Sequence, residues 1–341
     1  MLRRRETSPG EPVGPCPHPT RCRRIQRVAR MTARIPDLIQ RLSAAGWQAD
    51  DFAANHLGHA AEAVLGTETD ASRAAFESYW GTVAEITQTL TDAGVRHVIL
   101  KTRRNYRYAD NNVDVFVRDS EWPETRRVLC GLHWRMPSRI IRFKQRLIER
   151  AKIKLPPRDE ARVPAHIYKS VCWRYQREVS FLADGMTELV PLESEAPSLA
   201  SDWGGLMVPM TSRAADILII CAEIVFENYR IALGEALYLS WLLTQVPSVE
   251  KRGVYRKGIE RGAGGAMRCA LAYAERVGNE DEGYSTDEHW PKRFSAAELV
   301  ASWNDRFQKQ VHDRNVWAAI EEAFGYATFA SLYHVKRSYF E

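Results

Sequence analysis

The sequence predicts an α+β protein, a small mixed β-sheet flanked by N-terminal and C-terminal helical regions. Three observations carry this expectation. Apolar residues recur at threes and fours from Ile35 to Leu90; the pattern shortens to that of strands between Arg96 and Leu192; helical spacing returns from Thr211 onward. The order gives a basic tail at 1–34, a helical region at 35–93, an α/β core at 94–195 and a C-terminal helical domain at 209–341.

Each element has its own local reason. Leu38, Leu42, Phe52, Ala60 and Val64, then Phe76, Tyr79, Trp80, Val83, Ile86 and Leu90, mark helical faces. Asp92-Ala-Gly94 stops the last of these helices, with Gly94 suited to the left-handed C′ position. Arg96 to Lys101 then reads as a short buried strand and Val113 to Val117 as a second. Ser120 caps a helix from Glu121 to Leu129, His133 to Met136 reads as a third strand, and Arg139 to Lys154 as a basic amphipathic helix stopped by Pro156-Pro157. A fourth strand is expected at Ala165 to Trp173, and a further pair at Val179 to Leu182 and Thr187 to Leu192, around Ala183-Asp-Gly185. The C-terminal helices are placed at 214–229, 234–244, 254–277, 296–307 and 315–331.

With 341 residues, 45% of them apolar, the chain has enough material for a sizeable core. Its charge of +5 is unevenly spread. Residues 1–34 hold nine Arg against Glu6 and Glu11, a net +7, which leaves the remaining body at −2. The body therefore lacks the basic excess of a dedicated duplex-DNA binder, and nucleic acid is not the expected partner. Six scattered Cys suit reduced thiols in a cytoplasm better than a disulfide framework. Cys16, His18 and Cys22 form only a partial zinc pattern, without a second ligand pair. No signal-peptide core or membrane span is visible, the Pro-rich and Arg-rich start should be disordered, and Met31 is an alternative initiator to Met1.

The chemistry-bearing constellation lies where the first helical period ends. Side chains two residues apart on a strand face the same side, so Asn112 and Asp114 aim at a common point. Carboxylates in such a pattern are natural ligands of Mg²⁺, which prefers oxygen and neutralises a triphosphate during in-line attack on its α-phosphate. A hydroxyl residue at the end of the preceding strand, here Thr102 after Lys101, offers its backbone and hydroxyl to the outer phosphates.

Gly94 to Thr102 and Tyr106-Arg-Tyr-Ala-Asp-Asn-Asn-Val-Asp-Val-Phe-Val117 together resemble the DNA polymerase β superfamily, in its divergent bacterial and archaeal nucleotidyltransferase-like branch. The segments His166 to Trp173, Ala222 to Asn228 and Leu233-Gly-Glu235 look similar as well, so the resemblance covers about residues 90–245. It implies transfer of an NMP from an NTP to a hydroxyl of a small molecule or protein, with Mg²⁺ as cofactor. Asp114 and Asn112 would be the catalytic residues, Asp114, Asn112 and His166 the metal ligands, and Lys101, Thr102 and Arg103 the phosphate contacts. The sequence departs from the family pattern in three places. Lys101-Thr102 replaces Gly-Ser, Asn112 replaces the first carboxylate, and the third acidic position falls near His166. Asp110, Glu178 and Asp184 are the nearest substitutes for the missing charge.

Two functions follow, a working nucleotidyltransferase or a catalytically decayed fold that serves as a binding or regulatory module. The alternative uses of nearby residues are structural: core packing for Tyr106 and Tyr108, a solvated loop face for Arg103, Arg104 and Arg107, a satisfied strand histidine for His166. His56 and His59 suit capping or the surface better than metal, Gly262-Ala-Gly-Gly265 lacks the context of a phosphate loop, and Glu223 with Glu227 reads as an exposed helical stripe, with Asn228 and Arg230 nearby leaving a substrate contact open. The Arg-rich tail and the basic helix 139–154 are the features that favour RNA as acceptor.

Overall fold

A computed structural model describes residues 34–139, 152–168, 186–226, 228–279, 289–314 and 316, 319, 320 and 323. The protein is α+β, with a six-stranded mixed sheet between helical layers. Helices α1 (34–44), α2 (Ala49–Ala54), α3 (Gly58–Leu65) and α4 (Asp70–Asp92) precede the first strand. Thr69 caps α4, its hydroxyl accepting from the Ser72 amide, and Gly94 ends it with φ 70°, the left-handed stop the sequence calls for.

Strands β1 (His97–Leu100) and β2 (Val113–Val117) run antiparallel, and β2 pairs in parallel with β4 (Ala165–Tyr168). Strand β3 (Lys152–Leu155) forms one edge beside β4; β6 (Met207–Thr211) joins β1 in parallel and carries β5 (Thr187–Pro191) at the other edge. Every residue of β1 and β2 is buried, as continuous apolar runs require when both faces of a sheet are covered. Ile99, Val113, Val115, Val117 and Ile167 pack against Phe76, Tyr79, Trp80, Val83 and Ile86 of α4. The opposite face, with Val98, Leu100, Phe116 and Tyr168, packs against α6 (Arg213–Phe226). Alternation along β2 therefore puts Asp114 on the α6 face, beside Phe116.

Apart from two single-turn helices at Leu192–Glu195 and Ala200–Trp203, the other helices of the named elements are α5 (Trp122–Gly131), α7 (Leu233–Gln245), α8 (Ser248–Glu260), α9 (Gly264–Asn279) and α10 (Ala296–His312). A small ladder, β7 (Arg230–Ile231) with β8 (Lys292–Arg293), ties the start of α7 to the segment before α10. Among the described residues no helix is long and apolar enough to cross a membrane.

Several expected elements differ. Trp134 makes only an isolated bridge to Pro157 instead of a strand, because its indole is drawn into the core and donates to Val163 O. Residues 152–154, expected to end a basic helix, belong instead to β3; Ile153 and Leu155 alternate inward against β4. The helix expected at 254–277 is two helices, α8 and α9, broken at Gly262 with φ 72°. A Cβ at Gly262 would stand 2.9 Å from Arg306 Cα and one at Gly265 2.8 Å from Ser302 Cα, so this glycine run serves close approach to α10. Strand β6 was not signalled by any pattern. The basic tail 1–33, most of the basic helix, residues 169–173 and 179–182, and most of the last expected helix lie outside the described residues.

His97 gives the sheet a pH dependence. Its ring is buried, with Nδ1 3.0 Å from Val95 O and Nε2 without a hydrogen bond, and burial lowers its pKa. The folded state therefore resists protonation that the unfolded chain accepts near pH 6.5. The stability it contributes is complete above that pH and is lost as pH falls toward the depressed folded value. Urea unfolding between pH 8 and pH 5 should show this slope, and His97→Phe should flatten it; an equal slope in the variant contradicts the assignment.

Candidate functional site

The site forms where the C-terminal end of β1 and the N-terminal ends of β2 and β4 meet the helical layer of α6 and α7. Lys101 follows β1 and has φ 59°, a left-handed conformation uncommon for a side-chain-bearing residue. Its Nζ lies 2.5 Å from Asp114 Oδ2 and 2.6 Å from Glu223 Oε1, so one ammonium bridges a strand carboxylate and a helix carboxylate. The parallel register pairs Asp114 with His166, whose Nδ1 stands 3.3 Å from Asp114 Oδ1. That approach lacks hydrogen-bond geometry, leaving Oδ1 buried without a hydrogen bond.

Asp114 is 4% exposed. Burial alone would raise its pKa, but the charge of Lys101 and then the neighbouring His166 outweigh that and hold the carboxyl well below its usual range. Asp114 is thus held as an anion beside the Lys101 ammonium.

Above this buried pair opens a cleft of about 240 Å³. Lys101, Lys152, His166 and Tyr168 line it from the sheet, and Asp110 and Asn112 from the loop before β2. His56 closes it from the α2–α3 connection, while Glu223, Arg230 and Glu235 contribute from the helical side. Glu235 is fixed by accepting from the Ala232 amide at 2.8 Å, a capping contact at the start of α7.

Of the expected site residues, Lys101, Asn112, Asp114 and His166 come together. Asn112 precedes β2 in a bend instead of sharing its pleat, so it lines the cleft outside the strand alternation expected of it. Thr102 and Arg103 do not reach the cleft. Thr102 is buried against α4, accepting from Tyr79 Oη at 3.1 Å and donating to Leu100 O at 3.0 Å. Arg103 is turned toward β5, paired with Glu188 and with its Nε 3.5 Å from Glu195. The left-handed step at Lys101 re-aims the chain, which separates the lysine from the two residues after it.

The neighbouring basic and aromatic residues also point inward. Arg104 lies 4.7 Å over the Tyr108 ring and 4.4 Å over that of Tyr238, and Arg107 pairs with Glu68 at 2.6 Å while covering Phe76. Tyr108 donates to Asp110 Oδ2 at 2.7 Å, holding that carboxylate at the rim. Glu223 is the site residue that helical spacing alone did not reveal, because its partner is 122 positions away. Glu178, Asp184 and Glu227 lie outside the described residues.

As arranged, these groups do not fit Mg²⁺. Asp114 and Glu223 are the carboxylates that converge, and the ammonium of Lys101 holds the point between them. His166 is a nitrogen donor, poorly matched to a hard cation. Among the described residues no three His, Cys, Asp or Glu side chains gather into a metal-holding group. In comparisons with known proteins, no family model, no curated protein and no solved structure matches the chain.

Proposed function

We propose that the protein is a nucleotidyltransferase-like binding module that takes a nucleotide or a related phosphorylated ligand in this cleft without transferring NMP. The observation that carries the reading is Lys101 Nζ set between Asp114 and Glu223. Metal-dependent transfer needs those carboxylates to hold cations that neutralise the developing charge, and here they are already engaged. Lys152 and Arg230 on the cleft wall suit phosphate oxygens, while Asp110 and Glu235 suit ribose hydroxyls or base amino groups. A cytoplasmic location belongs to the same proposal, supported by the free thiols of Cys130, Cys221 and Cys269.

The second reading is an enzyme that transfers NMP from an NTP to a hydroxyl of a small molecule or protein. Asp114 Oδ1, buried without a hydrogen bond and aimed toward the strand that bears His166, favours it. Pyrophosphate release from each of the four NTPs with Mg²⁺ separates the two. The binding-module reading expects release no faster than in Asp114→Asn, together with saturable nucleotide binding by calorimetry. Release well above that control establishes the enzyme, and Asp114→Ala should then abolish it.

A further inference from the structure

The backbone and the charges at Lys101 answer different questions, and together they point one way. A lysine at φ 59° carries a conformational cost that glycine would avoid. That cost is offset where the side chain does something a glycine does not. Here its ammonium, on a residue only 14% exposed in its side chain, sits within 2.6 Å of two carboxylates from separate elements, β2 and α6. Without it, Asp114 and Glu223 would face each other as like charges in a desolvated setting.

We propose that the Lys101 ammonium is the built-in cation of this cleft, standing where a divalent ion would otherwise bridge Asp114 and Glu223. The native protein binds no divalent cation at that point, and a cation site is latent beneath the side chain. Its protein ligands would be the two carboxylates the ammonium now touches, Asp114 and Glu223, oxygen donors that suit a hard divalent ion such as Mn²⁺. The ligand's phosphates then meet the lysine itself, so nucleotide binding is independent of metal. The last step deepens the binding-module reading and rests on it; the cation substitution is tested with metal alone, so failure of one leaves the other standing.

The test uses the full chain and Mn²⁺, followed by calorimetry and by the loss of free-Mn²⁺ electron paramagnetic resonance signal. Wild type is expected to show no saturable binding. Lys101→Gly, which suits the left-handed backbone and removes the ammonium, is expected to bind one Mn²⁺ at least about a hundredfold more tightly than wild type, since a cation is removed from beside two carboxylates. Its thermal midpoint should rise with added Mn²⁺, and Lys101→Gly combined with Asp114→Asn should lose both effects. Lys101→Met repeats the comparison should the glycine variant not fold. Saturable Mn²⁺ binding by wild type that Asp114→Asn removes overturns the proposal. So does a folded Lys101→Gly or Lys101→Met that binds no more Mn²⁺ than wild type.

Discussion

Gly234→Ala is expected to destabilise the protein by about 3 kcal/mol, near the upper end of what overpacking costs. A Cβ there would stand 2.6 Å from Tyr106 Oη, 2.7 Å from Asn55 O and 3.2 Å from His56 O. Two of those three atoms are backbone carbonyls that have no rotamer into which to retreat. The crowding follows from how the start of α7 is satisfied. Asn55 accepts from the Leu233 amide through Oδ1 at 3.1 Å and from the Gly234 amide through its carbonyl at 3.0 Å, serving first-turn donors that have no partner inside the helix. Gly253, inside α8 with open space around its would-be Cβ, is the control; Gly253→Ala should be neutral or stabilising. Urea midpoints of the two variants check the contrast, and an unchanged midpoint for Gly234→Ala would show that the junction yields more easily than its backbone contacts imply.

Asp216→Ala should cost about 4 kcal/mol, because it strands partners that are themselves buried. Asp216 accepts from Tyr238 Oη at 2.8 Å and from Thr211 Oγ1, joining α6 to α7 and to β6. Burial raises its pKa, and the hydrogen bonds from Thr211 and Tyr238 and the charges of Arg103 and Arg104 act against that rise. Removing the carboxylate leaves a tyrosine and a threonine hydroxyl without acceptors, and takes one negative charge from the surroundings of the half-buried Arg104. Asp216→Asn keeps an acceptor of similar shape and should lose roughly half as much. Equal losses in the two variants, measured by denaturant unfolding at neutral pH, would assign the whole effect to charge instead of hydrogen bonding.

What the sequence made legible were features with local causes. The α4 helix, its glycine stop and the buried strands β1 and β2 follow from spacing and capping within a few residues. The inward role of Tyr108 was also legible, since alternate aromatics beside a strand usually pack. Strand β6 was hidden because Met207-Val-Pro-Met-Thr211 is short and carries Pro209, which argues against a strand unless its neighbours are known. Strand β3 was hidden because Lys152-Ile-Lys-Leu155 continues a basic helical pattern until a partner strand selects the alternation.

At the site, the meeting of Asp114 with His166 was anticipated from motif order, whereas that of Lys101 with Glu223 was not. A helical Glu with polar neighbours one turn away looks solvent-facing until a sheet is laid against it. Thr102 and Arg103 were expected at the phosphates because they follow the strand. A single residue at positive φ sends them into the core instead, a choice of direction that residue types do not encode.

The hydrogen bond between Asn55 and Leu233 spans 178 positions and carries a consequence for the order of folding. Contacts that close such long stretches of chain form late, after the local helices and hairpin pairings have already gained their stability. Until α6 docks, Lys101 and Asp114 have no Glu223 beside them; until α7 docks, His56 and Glu235 face no common space. A chain released from the ribosome before residue 235 would hold every strand of the six-stranded sheet but lack Glu235 and the helix that fixes it at the cleft. Closure of the cleft should therefore appear as the last kinetic phase of refolding, slower than the recovery of helical signal.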